Sequence, residues 1–137
     1  MAGDLLATYG TLRRALNPSD RPGGTALSFI SSCAFAGLLY DLGRFPGAVE
    51  GDGTVHGDLC RVQTASAWTA LDRYEGFSPE DESSSLFVRR RVDLREPTDT
   101  TAWVYWYNGP TRGHSPVASG DWVAYVREHR PQLLTPS

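Results

Sequence analysis

Residues 64–76 read TASAWTALDRYEG, and this stretch has the start signal, the apolar stripe and the end signal of one short helix. Thr64 or Ser66 can accept a hydrogen bond from an unpaired N–H group of the first turn, and Gly76 suits the left-handed residue that ends a helix. At about 100° per residue, one face carries four side chains: Trp68, Leu71, Asp72 and Glu75. The pattern predicts a helix whose apolar face ends in a carboxylate.

Glu75 lies in the last turn of this helix, where the helix dipole presents its negative end. Partial burial and the dipole both disfavour the ionised carboxylate, so we expect its pKa to be raised. A carboxylate with a raised pKa is a candidate general base or acid. The alternative is an ordinary surface carboxylate or one paired with Arg73, Arg89 or Arg90, and the helix alone leaves both interpretations open.

Length and composition predict one globular domain over residues 1–130, followed by a loose, Pro-rich tail at residues 131–137. The hydrophobic content of 40% can fill a core, and the net charge of −3 gives no electrostatic case for binding nucleic acid or a membrane surface. All 13 positive charges are Arg, which excludes a lysine nucleophile or a pyridoxal Schiff base. The start of the chain does not have the pattern of a signal peptide, so we expect a cytoplasmic protein.

The cysteines and histidines do not predict a metal site or a disulfide. Cys33 and Cys60 are far apart in sequence and are interpreted as buried thiols in a reducing compartment. The three histidines have no metal-ligand spacing: His56, His114 and His129. The motifs of a serine nucleophile elbow and of a dinucleotide-binding loop are both missing from the sequence. We therefore expect neither a metal nor a cofactor, and the remaining chemistry is acid–base catalysis by one carboxylate with backbone donors holding the substrate.

Short β-forming runs surround the predicted helix. They lie at residues 5–9, 35–42, 55–62, 86–94 and 102–107. A second helix can begin after Ser119 as its cap, with Asp121 in its first turn. Strands with Gly bends and few helices predict an α+β fold whose sheet curls toward a barrel.

Three connecting segments carry specific expectations. Gly10 follows the first strand, and consecutive N–H groups at such a turn can bind a carboxylate or carbonyl oxygen. In the GRFPG segment, Pro46-Gly47 suits a type II turn. The Ser-rich residues 78–85 are interpreted as an exposed loop, with a lid as one option. On the following strand, Arg90 falls among the inward apolar residues and would need a carboxylate partner on the helix.

Several motifs, taken together, resemble a known family. Residues 9–12 read Y-G-T-L, residues 37–47 match G-x-L-Y-D-L-G-x-x-P-G, and residues 71–76 match L-D-x-Y-E-G. An aromatic-x-Arg-x-x-Val segment at residues 87–92, W-x-Y at residues 103–105 and S-G-D-W at residues 119–122 follow in the same order. The chain is similar in these motifs to the γ-glutamylcyclotransferase-like proteins.

The resemblance implies a small mixed β-barrel with a few flanking helices and a cavity at one end. It implies that the Y-G-T-L loop binds the γ-glutamyl group through four residues: Tyr9, Gly10, Thr11 and Leu12. It makes Glu75 the acid–base residue, with Tyr105 as a further substrate-binding candidate. Phe87 stands where the family often has Tyr, so one hydroxyl is missing.

The implied function is release of 5-oxoproline and a free amine from a γ-glutamyl amine or γ-glutamyl amino acid. The α-amine of the substrate attacks its own γ-carbonyl, and one glutamate moves the protons. Asp72 is the competing base. The expected partner is a small γ-glutamyl molecule, and the expected state is a monomer or weak homodimer; the identity of the leaving amine stays open.

Two other interpretations of the chain remain. One is a non-catalytic binding module for a small carboxylated metabolite on the same barrel. The other is a protein-interaction domain that uses the aromatic strand at residues 103–107, which predicts a flat exposed aromatic patch and no enclosed cavity.

Overall fold

The computed structural model describes residues 4–10 and 27–129. Its strands are β1 (Asp4–Thr8), β2 (Leu27–Asp41), β3 (Pro46–Val62), β4 (Phe87–Asp93), β5 (Thr101–Tyr107) and β6 (Ser115–Pro116). Its helices are α1 (Ala65–Glu75) and α2 (Trp122–His129), with a short 3₁₀ helix at Glu82–Ser84. The predicted binding residues Thr11 and Leu12 and the predicted tail at residues 131–137 lie outside the described residues.

The strands form one mixed sheet in the order β4-β5-β1-β3-β2-β6. β1 runs antiparallel to β3 and parallel to β5, and the remaining pairs are antiparallel. The long β2–β3 pair changes register at two points, between Phe29 and Ser31 and between Ala36 and Leu38. Because such bulges bend a strand and increase its twist, the sheet curls into a half-barrel. The predicted α+β fold with a curled sheet is confirmed.

The two helices cover opposite faces of this sheet. Consecutive residues of β1 alternate, so Leu6 packs in one hydrophobic cluster and Ala7 in the other. Trp68 of α1 belongs to the cluster of Leu6, and Trp122 of α2 belongs to that of Ala7. Within the described residues, neither helix has the length and apolar character that crossing a membrane requires.

Helix α1 begins and ends as its sequence predicts. The side chain of Thr64 accepts a hydrogen bond of 3.1 Å from the N–H group of Ala67. Gly76 ends the helix with φ of 69°, a left-handed conformation in which its N–H group donates to Arg73. Trp68 and Leu71 are buried, which confirms the predicted apolar face.

The prediction for β4 was wrong about which arginine points inward. Arg90 is half exposed and pairs with Glu82, at 2.7 Å between Nη2 and Oε1. Arg89 lies opposite Tyr105 in the β4–β5 ladder and shares the sheet face that α1 covers. The periodicity of an edge strand does not reveal which of its two faces another element covers, and here α1 covers the face of Arg89.

The turn before β3 lies earlier than predicted. The N–H group of Leu42 donates to the carbonyl of Phe45 at 3.0 Å, and Pro46 and Gly47 already belong to β3. Gly47 is needed for close packing, because a Cβ there would lie 2.8 Å from the Cβ of Tyr107. Proline is tolerated as the first residue of a strand, so Pro46 starts β3 instead of forming the turn.

The cap of α2 also differs from the prediction. Asp121, rather than Ser119, accepts a hydrogen bond from the first turn, at 3.2 Å from the N–H group of Ala124. The hydroxyl of Ser119 instead accepts from the N–H group of Asp121. Both residues are common caps, and the chain enters the helix two residues later than the sequence suggests.

Residues 78–85 are exposed for the most part, as predicted, but they are hydrogen-bonded to one another. The buried hydroxyl of Ser85 accepts from the N–H group of Ser78 and donates to the carbonyl of Asp81, both at 2.9 Å. Cys33 and Cys60 are buried, as predicted, and both are reduced thiols.

Candidate active site

A cavity of about 270 Å³ lies at the end of β1, and we call it the β1 cavity. Its wall is formed by residues 7–10, by Phe45 and Pro46 before and at the start of β3, by Tyr74 and Glu75 of α1, by Leu86 and Phe87 at the start of β4, and by Tyr105 of β5. Five separate parts of the chain therefore meet at one concave site, as is typical of small-molecule binding sites.

Four of the six predicted site residues line this cavity: Tyr9, Gly10, Glu75 and Tyr105. The other two, Thr11 and Leu12, follow directly in the sequence but lie outside the described residues. The acid at the end of α1 and the turn after β1 thus open onto the same cavity.

Glu75 reaches the cavity from the last turn of α1, and burial raises the pKa of its carboxyl group from 4.5 to about 7. Among the described residues it makes no hydrogen bond or ion pair that would favour the ionised form. Desolvation alone therefore accounts for the shift. The predicted raised pKa is confirmed, with burial as its cause.

Asp72 lies one turn earlier on the same helix face, and both of its carboxylate oxygens accept hydrogen bonds. It receives a 2.6 Å hydrogen bond from the hydroxyl of Tyr105 on Oδ1 and a 3.1 Å hydrogen bond from Nη2 of Arg89 on Oδ2. Nε of Arg89 lies 3.0 Å from Oδ1. Asp72 is not part of the cavity wall, and this geometry favours a structural role over that of the competing base.

Arg89 was considered from the sequence as a partner of Glu75, but in the structure it belongs to the network of Asp72. Its guanidinium carbon lies 4.5 Å from the ring centroid of Trp68 and 4.7 Å from that of Trp103, one on α1 and one on β5. This cation–π packing holds a desolvated cation beside Asp72. The available signal was the two-residue period of β4, which puts Arg89 on the same face as Phe87, but only the covering helix shows that this face is the inner one.

These contacts also exclude two of the partners considered for Glu75. Arg89 pairs with Asp72 and Arg90 with Glu82, so neither is an ion-pair partner of Glu75. The interpretation of Glu75 as a carboxylate paired with either of these arginines was wrong.

Tyr9 joins three strands at the cavity. Its hydroxyl donates to the carbonyl of Tyr105 at 2.6 Å and accepts from the N–H group of Ala48 at 3.1 Å. Desolvation, with the charge of Glu75, raises the pKa of Tyr9 far above its usual range, so the hydroxyl keeps its proton. The turn at Gly10 follows at once, and a Cβ at Gly10 would lie 2.8 Å from Cγ of Pro46. The start of β3 therefore packs directly on the backbone of this turn.

The rest of the cavity wall is largely apolar. Phe87 is 4% exposed and packs on Phe45 and Tyr107, with ring centroids 6.0 Å and 5.8 Å away. Tyr74 and Leu86 are both about half exposed. The described residues contain no group of three or more His, Cys, Asp or Glu side chains that could hold a metal ion.

The aromatic strand β5 does not form an exposed patch. Tyr105 is 4% exposed, and Trp103 and Tyr107 pack partly buried against the cluster that α1 covers. The interpretation as an interaction domain with a flat aromatic surface was therefore wrong for this strand.

Comparison with known proteins identifies the family. The sequence model of the family described as "Gamma-glutamyl cyclotransferase, AIG2-like" matches residues 6–124. The chain belongs to this family. The matched residues include every described residue of the β1 cavity wall.

Two bacterial relatives show how far the likeness extends. A Vibrio cholerae protein, provisionally named as a gamma-glutamylcyclotransferase, is 39% identical over 124 residues, which is 89% of this chain and 97% of that protein. The gamma-glutamylcyclotransferase family protein YtfP of Escherichia coli K12 is 35% identical over 88 residues. That match covers 62% of this chain and 66% of YtfP, just under two thirds of its length.

Solved structures agree on the fold of this γ-glutamyl cyclotransferase family member. The solution structure of E. coli YtfP matches with a TM-score of 0.65 and 26% identity, over 88% of this chain and 97% of that one. A uropathogenic E. coli-specific protein matches with a TM-score of 0.70 and 21% identity, over 94% of this chain and 98% of that one. At this identity the second match shows the fold alone.

Proposed function

We propose that this chain is a cofactor-free γ-glutamyl cyclotransferase that releases 5-oxoproline and an amine from a γ-glutamyl amine or γ-glutamyl amino acid. The observation that carries the proposal is the position of Glu75: a desolvated carboxylate with no hydrogen-bond or ion-pair partner among the described residues, facing the same cavity as Gly10 after β1. The family membership supports the reaction class.

The reaction needs one new bond and one broken bond. The α-nitrogen of the substrate attacks the γ-carbonyl carbon and closes a five-membered ring, and the bond from that carbon to the leaving nitrogen then breaks. The α-nitrogen passes from an ammonium group to a ring N–H and loses two protons. The leaving nitrogen gains two protons as it becomes a free ammonium. Glu75 can carry both, because it can accept and return a proton when its pKa is near 7.

Ring closure also explains why the site can work without a nucleophile of its own. The reacting atoms belong to one molecule, so the enzyme has to select the folded conformer and move protons. The half-barrel supplies a shaped, largely apolar cavity for this conformer. We assign the turn beginning at Gly10, with Thr11 and Leu12 following in sequence, to binding the α-carboxylate or the oxyanion that develops on the γ-carbonyl oxygen.

The test is 5-oxoproline release from a panel of γ-glutamyl compounds with different leaving amines, measured for the wild type and for Glu75→Gln. The Gln variant keeps size and hydrogen bonding but cannot accept a proton, so turnover should fall by roughly 10²–10⁴-fold. Glu128→Gln is the matched control, because Glu128 is a carboxylate with a 77% exposed side chain at the end of α2. Its turnover should equal that of the wild type.

Two results would contradict the proposal. If Glu75→Gln released 5-oxoproline at the wild-type rate, Glu75 would not be the base. If the wild type bound γ-glutamyl compounds but released 5-oxoproline from none of them, the chain would be a binding module on the same half-barrel.

A further inference from the structure

The hydroxyl proton of Tyr105 is already used inside the protein. The hydroxyl donates a 2.6 Å hydrogen bond to Oδ1 of Asp72, and Tyr105 lines the β1 cavity. A tyrosine hydroxyl has one proton and two lone pairs, so Tyr105 has only lone pairs left to offer a ligand.

The direction of this hydrogen bond is fixed by the Asp72–Arg89 pair. Asp72 pairs with the guanidinium of Arg89, and carboxylate oxygens accept hydrogen bonds, so the hydroxyl of Tyr105 is the donor. Arg89 is in turn held between two indole rings, at 4.5 Å and 4.7 Å, and cannot easily leave Asp72. The effect of this chain of contacts is to keep the Tyr105 proton turned away from any ligand.

The hydroxyl of Tyr9 has the same orientation, with its proton donated to the protein and not to the cavity. Its proton goes to the carbonyl of Tyr105 at 2.6 Å, and one of its lone pairs is taken by the N–H group of Ala48. Burial raises the pKa of both tyrosines, aided by the charge of Glu75 at Tyr9 and by the hydrogen bond to Asp72 at Tyr105, so both hydroxyls keep their protons. Tyr9, Tyr105 and Glu75 therefore present oxygen acceptors and no free hydroxyl proton to the cavity when Glu75 is ionised.

We propose that Tyr105, together with Glu75, accepts hydrogen bonds from the α-ammonium group of the ligand, and that Arg89 and Asp72 are positioning residues that set this polarity. The inference deepens the proposed function and rests on it for the identity of the ligand. An ammonium group has three protons and no lone pair, so it fits a site made of acceptors. The same site disfavours a ligand that has a hydrogen in place of that ammonium group.

The test uses two ligands that cannot cyclise. O-propyl-L-homoserine keeps the α-carboxylate and α-ammonium of the substrate but has an ether in place of the amide, and 4-propoxybutanoate is the same molecule without the ammonium. Dissociation constants of both are measured by titration calorimetry for each variant. The readout is the ratio of the two constants, because general damage to the cavity weakens both ligands alike and leaves the ratio unchanged.

The wild type should prefer the amino ligand, and Tyr105→Phe should reduce that preference about tenfold, as expected for the loss of a hydrogen bond to a charged group. Asp72→Asn should also reduce it, because an amide can donate to the Tyr105 oxygen and turn its proton toward the ligand. Tyr107→Phe is the matched control: Tyr107 lies two residues along the same face of β5 but outside the wall of the β1 cavity, so its ratio should equal that of the wild type.

The inference is overturned if the wild type shows no preference for the amino ligand, or if Tyr105→Phe leaves the preference intact. Release of 5-oxoproline is measured separately, so the two proposals can fail independently. A wild type that turns over substrate while Tyr105→Phe keeps the full preference would refute the polarity argument alone. A protein with the expected ratios but without turnover would refute the cyclotransferase proposal alone.

Discussion

Asp72 and Glu75 are carboxylates one turn apart on the same face of α1, and their surroundings are opposite. Asp72 packs against β4 and β5, where Arg89 and the hydroxyl of Tyr105 use both of its oxygens. Glu75 extends past these strands into the β1 cavity, where burial raises its pKa to about 7 and no described residue pairs with it.

The difference shows that position along the helix, rather than residue type, decides the role of an acid here. A carboxylate that pairs with a buried cation and accepts from a hydroxyl group is held in one position and has a structural role. A buried carboxylate without them can gain and lose a proton near neutral pH and is available for chemistry. Three experiments test this contrast between the two carboxylates.

The largest expected effect is on folding stability when Asp72 is truncated. Asp72→Ala leaves the guanidinium of Arg89 buried without its carboxylate, which should cost about 3–5 kcal/mol of the free energy of unfolding. Glu75→Ala removes no ion pair of the described residues and should lower the same quantity by less than about 1 kcal/mol at pH 7. Urea titration monitored by tryptophan fluorescence measures both. Equal losses in the two variants would mean that the contrast between the carboxylates is wrong.

An intermediate effect is expected from the pH dependence of stability. The pKa of Glu75 is raised on folding, so the folded state holds its proton more tightly, and the stability that this provides is lost as pH rises from about 4.5 through about 7. Glu75→Gln has no charge to bury. Its free energy of unfolding should equal that of the wild type at pH 4. At pH 8 it should exceed that of the wild type by about 2 kcal/mol, after allowance for the partial exposure of Glu75.

The check is a series of unfolding titrations between pH 4 and pH 8 on the wild type, Glu75→Gln and Glu128→Gln. Glu128, whose side chain is 77% exposed, is the matched carboxylate that folding does not bury. A stability difference for Glu75→Gln that is flat across this range would show that Glu75 is not desolvated.

The smallest effect concerns the helix that carries both acids. Thr64→Ala removes the side chain that accepts from the N–H group of Ala67 and should cost about 1 kcal/mol. Ser66→Ala is the control, because Ser66 lies inside the first turn and makes no cap, and it should cost less than Thr64→Ala. Thermal unfolding measures the loss of stability in both variants. A greater loss for Ser66→Ala would mean that the cap has been assigned to the wrong residue.

Much of this protein follows from sequence patterns that act over a few residues. The cap at Thr64, the left-handed Gly76 and the shared face of Trp68, Asp72 and Glu75 depend on helix geometry alone, and the structure confirms them. The motif of residues 9–12 and that of residues 71–76 pointed to the family before any coordinates, because short motifs in a fixed order are specific even when each one is weak.

The same local reasoning failed where a choice depended on a distant element. The two-residue period of β4 divides its side chains between two faces but does not show which face is covered. Because α1 packs on the face of Arg89, Arg89 is the buried arginine, and Arg90 pairs with Glu82 on the other face. The turn before β3 lies earlier than predicted because Gly47 packs against Tyr107, some 60 residues further along the chain.

Sequence alone determined the helix and the order of the elements along the chain, because propensity, capping and periodicity are properties of neighbouring residues. The resemblance of its short motifs indicated the family and supported Glu75 as the candidate base. Tertiary structure alone decided which carboxylate is paired and which has no partner in the described part of the chain, since that depends on what lies across the sheet. It also decided that the protons of Tyr9 and Tyr105 point into the protein, because hydrogen-bond direction is set by partners 33 to 96 residues away.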